Sequence, residues 1–118
     1  MSKNIVKDKS FRFAVRIVNN CAYLKDQKKE FVLSKQLLRS GTAVGALVRE
    51  AQNAESNADF IHKMSIAQKE CDETLYWLEL LQTTNFLDPQ LHQHLHEEAT
   101  ALLKIIRSII INTKNKTR

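Results

Sequence analysis

His92, His94 and His96 are the residues whose spacing first suggests chemistry. On a helix, His92 and His96 stand at i and i+4 on one face, an arrangement zinc sites use, while His94 faces elsewhere. No cysteine or third ligand joins that pattern. The histidines therefore read as a solvated or rim cluster, and neither metal nor cofactor is expected. Glu50 and Glu73 are carboxylates of the kind that do acid–base work in pairs, but salt bridges at a contact explain them more simply. Ser40-Gly41-Thr42 has no strand before it and no P-loop lysine, so it does not read as a phosphate cradle. Cys21 and Cys71 lie far apart without a CxxC pattern and read as free thiols packing like small apolar residues. No catalytic constellation emerges, and the chain is expected not to be an enzyme.

The elements that would position these residues follow from composition and periodicity. The chain has 118 residues, 43% hydrophobic and 26% charged, with only two glycines and one proline. That is too few turn residues for an all-β or alternating α/β chain of this length, so helices are favoured. Four amphipathic segments recur at spacings of 3 and 4. The first places Phe11, Val15, Val18 and Ala22 on one face. The second places Leu33, Leu37, Gly41, Val44, Val48 and Ala51 there, with Ser34 as N-cap. The third carries Phe60, Met64, Ala67, Cys71, Thr74, Leu78 and Leu81, entered from Ser56 or Asn57. The fourth opens at Asp88-Pro89, cap then first-turn proline, and carries Leu91, Leu95, Leu102, Ile106 and Ile109. These spacings predict helices over 9–25, 33–54, 57–83 and 89–112, with a basic tail over 113–118. The expected fold is a single all-α domain, an antiparallel up-down-up-down four-helix bundle.

Both glycines, Gly41 and Gly45, fall inside the second helix, where each costs roughly 1 kcal/mol relative to Ala. Gly41 lies on the core face, where the absence of a side chain lets a neighbouring helix come close. Gly45 sits at the edge of that face.

Three helices carry a second stripe, which one bundle core does not require. On the first it is Phe13, Ile17 and Leu24. On the second it is Arg39, Ala43, Ala46 and Glu50, with alanines where a solvated face would carry Lys or Glu. On the third it is Ile66, Glu73, Trp77 and Leu80. Contiguous apolar surface outside the core marks an interface. Self-association is expected, with Arg39, Glu50 and Glu73 as paired ions at the subunit contact.

The stretch LLRSGTAVGALVREAQNAES, followed by DFIHKMSIAQKECDETLYWLELL, resembles the four-helix-bundle family also known as rRNA intervening-sequence proteins. That family is related to the accessory variability determinant of diversity-generating retroelements. The resemblance covers roughly residues 10–112. The matching positions are Arg39, Ser40, Gly41, Thr42, Gly45, Glu50 and Ala51, then Phe60, Ile66, Ala67, Glu73, Trp77 and Leu78. Leu47 departs from a usual Asn, and Ala43 from a common Ser. The resemblance implies a protomer that assembles into a ring-shaped homo-oligomer, typically a pentamer. It also implies kinship with a retroelement protein that binds nucleic acid and reverse transcriptase through a basic surface, a role belonging to one branch.

Charge gives the functional lead. Residues 1–30 hold 8 Lys/Arg against 3 Asp/Glu, residues 31–103 hold 5 against 10, and residues 104–118 hold 5 against none. In an up-down-up-down bundle the start of the first helix and the end of the fourth share a pole. Lys3, Lys7, Lys9, Arg12 and Arg16 would then meet Lys104, Arg107, Lys114, Lys116 and Arg118, forming a basic rim that binds phosphate backbones without reading sequence. The expected role is a non-enzymatic accessory factor binding DNA or RNA, alone or beside a nucleic-acid enzyme. A protein-interaction scaffold without a nucleic-acid role is the alternative, and a His92/His96 metalloenzyme a third reading. The opening MSKNIVKDKS lacks a signal-peptide core, and the most apolar run, ALLKIIRSIII, is too short and too charged to span a bilayer. A cytoplasmic protein without membrane partners is expected.

Overall fold

The computed structural model describes residues 4–116. They form α1 (Ile5–Asp26), α2 (Leu33–Ala51), α3 (Asn57–Thr83) and α4 (Pro89–Lys116), with no strand among the described residues. α1 packs on α2, α2 on α3 and α3 on α4, and α4 closes against α1. The resulting bundle measures 49 × 25 × 21 Å.

Local chemistry sets the helix ends. The Asn4 side chain accepts the Lys7 N–H at 3.1 Å and opens α1 at Ile5, earlier than periodicity predicted. Ser56 accepts the Asp59 N–H at 3.0 Å, and Asp88 accepts the Leu91 N–H at 2.9 Å. These contacts satisfy donors that have no partner within the helix. Past α3, Asn85 takes a left-handed φ of 68°, and the Phe86 N–H donates back to the Leu81 carbonyl at 2.8 Å, a Schellman closure. α2 ends at Ala51 rather than 54, because the Asn53 and Ala54 N–H groups turn back to the carbonyls of Glu50 and Ala51. α4 continues to Lys116, so residues 113–116 of the expected tail are helical.

The start of α2 differs from the sequence reading. Ser34 is not its N-cap. The Glu30 carboxylate accepts the N–H groups of Val32 (3.2 Å), Leu33 (2.9 Å) and Ser34 (2.6 Å), while Ser34 Oγ donates to the Glu30 carbonyl at 2.7 Å. Burial alone would raise the Glu30 pKa. The backbone N–H groups outweigh it and hold the carboxyl below the ordinary 4.5.

The cores of α2 and α3 are the expected ones, apart from Leu33 and Phe60, which are half-buried. On α4, Leu95, Ala99, Leu102, Leu103, Ile106 and Ile110 are buried, whereas Leu91 and Ile109 are half-buried. α1 reverses the prediction. Phe13, Ile17, Cys21 and Leu24 fill the core, while Phe11 and Val18 remain 54% and 48% exposed, with Val15 and Ala22 beside them. Spacing cannot choose between two stripes of equal period. The stripe that wins has the larger side chains and the complementary surface on α2.

That surface is made by the glycines. A Cβ on Gly41 would stand 2.9 Å from both γ-carbons of Ile17, so Ile17 occupies the space a side chain would need. A Cβ on Gly45 would approach the Ser10 carbonyl oxygen to 3.2 Å, so here α2 lies against α1 backbone. Farther along the pair, the Cys21 thiol donates to the Ser34 carbonyl at 3.3 Å. The Cys71 thiol likewise donates to the Ala99 carbonyl of α4 at 3.2 Å. Both cysteines are free, and burial pushes each thiol up to about 12.

Two outcomes follow, both read by thermal and denaturant unfolding. Gly41→Ala destabilises by up to about 2 kcal/mol net, because overpacking against Ile17 costs roughly 1–3 kcal/mol and the gain in helix propensity returns about 1 kcal/mol of it. Glu30→Gln costs about 1–2 kcal/mol at pH 7 through the lost cap charge. The folded-state pKa of Glu30 lies below the unfolded one, so its stabilisation is complete above pH 4.5 and lost as pH falls through the folded value. The gap between wild type and E30Q therefore narrows on acidification.

Candidate nucleic-acid interface

Successive turns of α1 place Lys9, Arg12 and Arg16 along the groove between α1 and α4, facing His94, Glu97 and Glu98. Arg16 Nε pairs with Glu98 Oε2 at 3.0 Å, leaving Lys9 and Arg12 as exposed cations at the mouth. Lys7 sits on the other flank of α1, against α2, beside Phe11, Thr42 and Gly45. Lys104 is exposed on α4, whereas Arg107 turns toward α3, with Nη2 3.9 Å from Asp72. Lys114 and Lys116 are exposed on the last turns of α4, and Lys3 and Arg118 lie outside the described residues.

The expected basic surface is therefore brought together in part. Lys9, Arg12 and Arg16 form one line, and Lys7 and Arg107 leave it for other flanks. Acidic neighbours accompany the cations. Asn4 donates to the Gln52 side chain at 2.6 Å, so the end of α2 lies beside the start of α1, and Glu50 lines the same α1–α2 surface as Lys7. Counting only the two terminal segments missed it.

The outer face of α2 and α3 carries the second group of expected site residues. Arg39 Nη1 donates to Glu70 Oε1 at 3.1 Å, and Nη2 donates to Glu73 Oε2. The Trp77 indole N–H donates to the same Glu73 oxygen at 3.0 Å. The Trp77 bond and then Arg39 hold the Glu73 carboxyl below its ordinary range, and Glu73 foremost raises the Arg39 pKa. Lys63 meets Glu50 at 3.4 Å. The ions assigned to a subunit contact thus find partners within the chain. Glu70 was missed, although it stands one turn before Glu73. Ala43, Ile66 and Leu80 are half-buried and Ala46 is exposed on the same side.

His92 Nδ1 lies 3.1 Å from the Leu78 carbonyl oxygen, and its ring is 5.4 Å from that of His96. His94 faces α1 instead. Among the described residues no group of three or more His, Cys, Asp or Glu side chains could hold a metal.

One feature of the α1–α4 groove carries no signal in the sequence. Asn20 is 6% exposed, and neither its amide nitrogen nor its amide oxygen has a partner. Glu98 Oε1 is likewise buried and unpartnered.

The fold and these surfaces define a small all-α protein of four bundled helices. A family model described as 23S rRNA-intervening sequence protein matches residues 2–108, and the chain belongs to that family. A crystal structure of a protein of unknown function from the S23 ribosomal protein family of Bacteroides thetaiotaomicron is similar, with 52% identity and a TM-score of 0.90. The likeness covers 91% of this chain and 96% of that one. No curated protein matches.

Arg39→Ala lowers stability by about 0.5–1 kcal/mol, in the range of partly exposed ion pairs. Chemical denaturation checks this, and the loss shrinks in molar salt, where such pairs are screened.

Proposed function

We propose that this protein is a non-enzymatic oligomer that binds nucleic acid without sequence preference, as a cytoplasmic accessory to a nucleic-acid enzyme. The line of Lys9, Arg12 and Arg16 along the α1–α4 groove carries the reading. Cations at successive turns follow a phosphate backbone, and Lys104, Lys114 and Lys116 extend the positive surface along α4. The non-enzymatic part is supported by thiols pushed up to about 12, far from the thiolate a nucleophile needs. No described helix is long and apolar enough to cross a membrane.

The helices run up-down-up-down, a reading supported by opposed pairs that descend on one helix as they ascend on the other. Ser10 lies beside Gly45, Ile17 beside Gly41 and Cys21 beside Ser34. The protomers assemble as a ring, a pentamer by family resemblance. The half-exposed stripe of Phe11, Val15 and Val18 supports self-association, because such contiguous apolar surface is usual at interfaces. The α2–α3 face around Ala43, Ala46, Ile66, Trp77 and Leu80 supplies the other side of the contact.

The alternative, a protein-interaction scaffold, draws on the carboxylates facing Arg16 and Arg107. Anisotropy of labelled single- and double-stranded DNA and RNA across a salt series separates the two. Binding falls by about 0.9 log units per phosphate for each decade of salt. Lys9→Glu with Arg12→Glu reduces that slope by about 2, whereas Arg107→Glu on the other flank leaves it nearly unchanged. No binding at low salt leaves the scaffold reading. Native mass measurement tests assembly: Val15→Glu and Trp77→Glu each yield monomers, and an unchanged mass in both rejects these faces as the contact.

A further inference from the structure

The α1–α2 connection presents the two most exposed large apolar side chains of the described residues, Phe31 at 58% and Val32 at 71%. Backbone contacts hold them there. The N–H groups of Lys28 and Glu30 donate to the Leu24 carbonyl at 3.2 and 3.0 Å, and Lys29 between them takes a left-handed φ of 54°. From the other side, the Glu30 carboxylate binds the N–H groups of Val32, Leu33 and Ser34. A turn tied at both ends does not fold its tip back onto the core, so the apolar pair stays in solvent.

Positive charge surrounds this tip. Lys25, Lys28, Lys29 and Lys35 are all exposed, and among the described residues no carboxylate comes within ion-pair reach of any of the four. Asp26 is the one exposed acid of the stretch, because Glu30 is buried beneath the N–H groups it caps. A protein partner suits such a tip poorly. Lysine is depleted at protein interfaces, and two side chains fall far short of the roughly 800 Å² that a stable contact covers on each side. A bilayer needs no matching shape: apolar side chains enter its boundary while lysines reach the headgroups along their apolar stems.

We infer that the α1–α2 connection docks on an anionic lipid surface, with Phe31 and Val32 entering the headgroup boundary and the four lysines meeting lipid phosphates. No described helix is long and apolar enough to span a bilayer, which bears on crossing a membrane and not on resting against one. The inference goes beyond the nucleic-acid reading and stands without it, since Arg12 lies about 20 Å of helix away from the end of α1.

Flotation of the full chain tests it, with vesicles of phosphatidylcholine alone or mixed with an equal part of phosphatidylglycerol. The protein floats with the mixed vesicles and not with the neutral ones, and rising salt releases it. Phe31→Ser with Val32→Ser lowers partitioning about 10-fold or more. Lys28→Gln with Lys29→Gln does the same. All four side chains are exposed, so both variants keep wild-type helicity by circular dichroism. Lys9→Gln with Arg12→Gln removes the same charge near the start of α1 and changes flotation by no more than about 2-fold, being farther off than the screening length. If it costs as much as the lysine pair at the tip, net charge alone draws the protein to vesicles and the inference fails. Absence of wild-type flotation with mixed vesicles overturns it as well, as do tip variants that float like wild type. A lowered native mass in the Phe31→Ser, Val32→Ser variant assigns the tip to a subunit contact and likewise rejects lipid docking.

Discussion

The close approach of α1 and α2 at Gly41 governs what the rest of the molecule presents. With no Cβ at that position, the γ-carbons of Ile17 enter the surface of α2. One side chain so placed fixes the rotation of α1 about its axis. Phe13, Cys21 and Leu24 turn inward with Ile17, and the Phe11–Val15–Val18 stripe turns outward. The same rotation sets Lys9, Arg12, Arg16 and Asn20 on the flank of α1 that faces α4. The core, the apolar outer stripe and the polar groove are consequences of one contact.

Electrostatics refine this arrangement without determining it. Arg39 gathers Glu70 and Glu73, and Trp77 ties Glu73 from its own helix, so the outer face of α2 and α3 joins one cation to two carboxylates. Residual positive charge is left on the first turns of α1 and along α4. Glu30 acts differently: its carboxylate is spent on backbone N–H groups at the start of α2, where it offsets the helix dipole. That contact fixes where the α1–α2 connection ends, and with it the register that brings Gly41 to Ile17.

Much of the fold was legible in the sequence. In α2 and α3 the stripe chosen for the core is the one the structure buries, Asp88-Pro89 marks the start of α4, and Ser56, one of two candidates, caps α3. α1 was not legible, because its two apolar stripes have the same period and only the glycine surface of α2 decides between them. The caps at Asn4 and Glu30 were missed for a related reason. Each depends on a side chain reaching backbone N–H groups, and a nearby serine at position 34 is the stronger local signal. Of the candidate site, the types of residue were visible but not their flanks. Lys7 and Arg107 share a charge with Lys9 and Arg12, yet helix rotation sends them elsewhere. Asn20 carried no pattern at all, since its significance lies in what it fails to touch.

The measurement that bears most directly on this account is a double-mutant cycle between Gly41 and Ile17, read by denaturant unfolding. Gly41→Ala destabilises the wild-type chain, but in an Ile17→Ala background the added methyl enters space the isoleucine vacated. Its cost is expected to disappear or reverse there, a coupling of at least about 1 kcal/mol between contacting residues. An equal cost in both backgrounds would mean that Ile17 does not seat on Gly41. The orientation of α1, and with it the polar groove, would then have to be assigned anew.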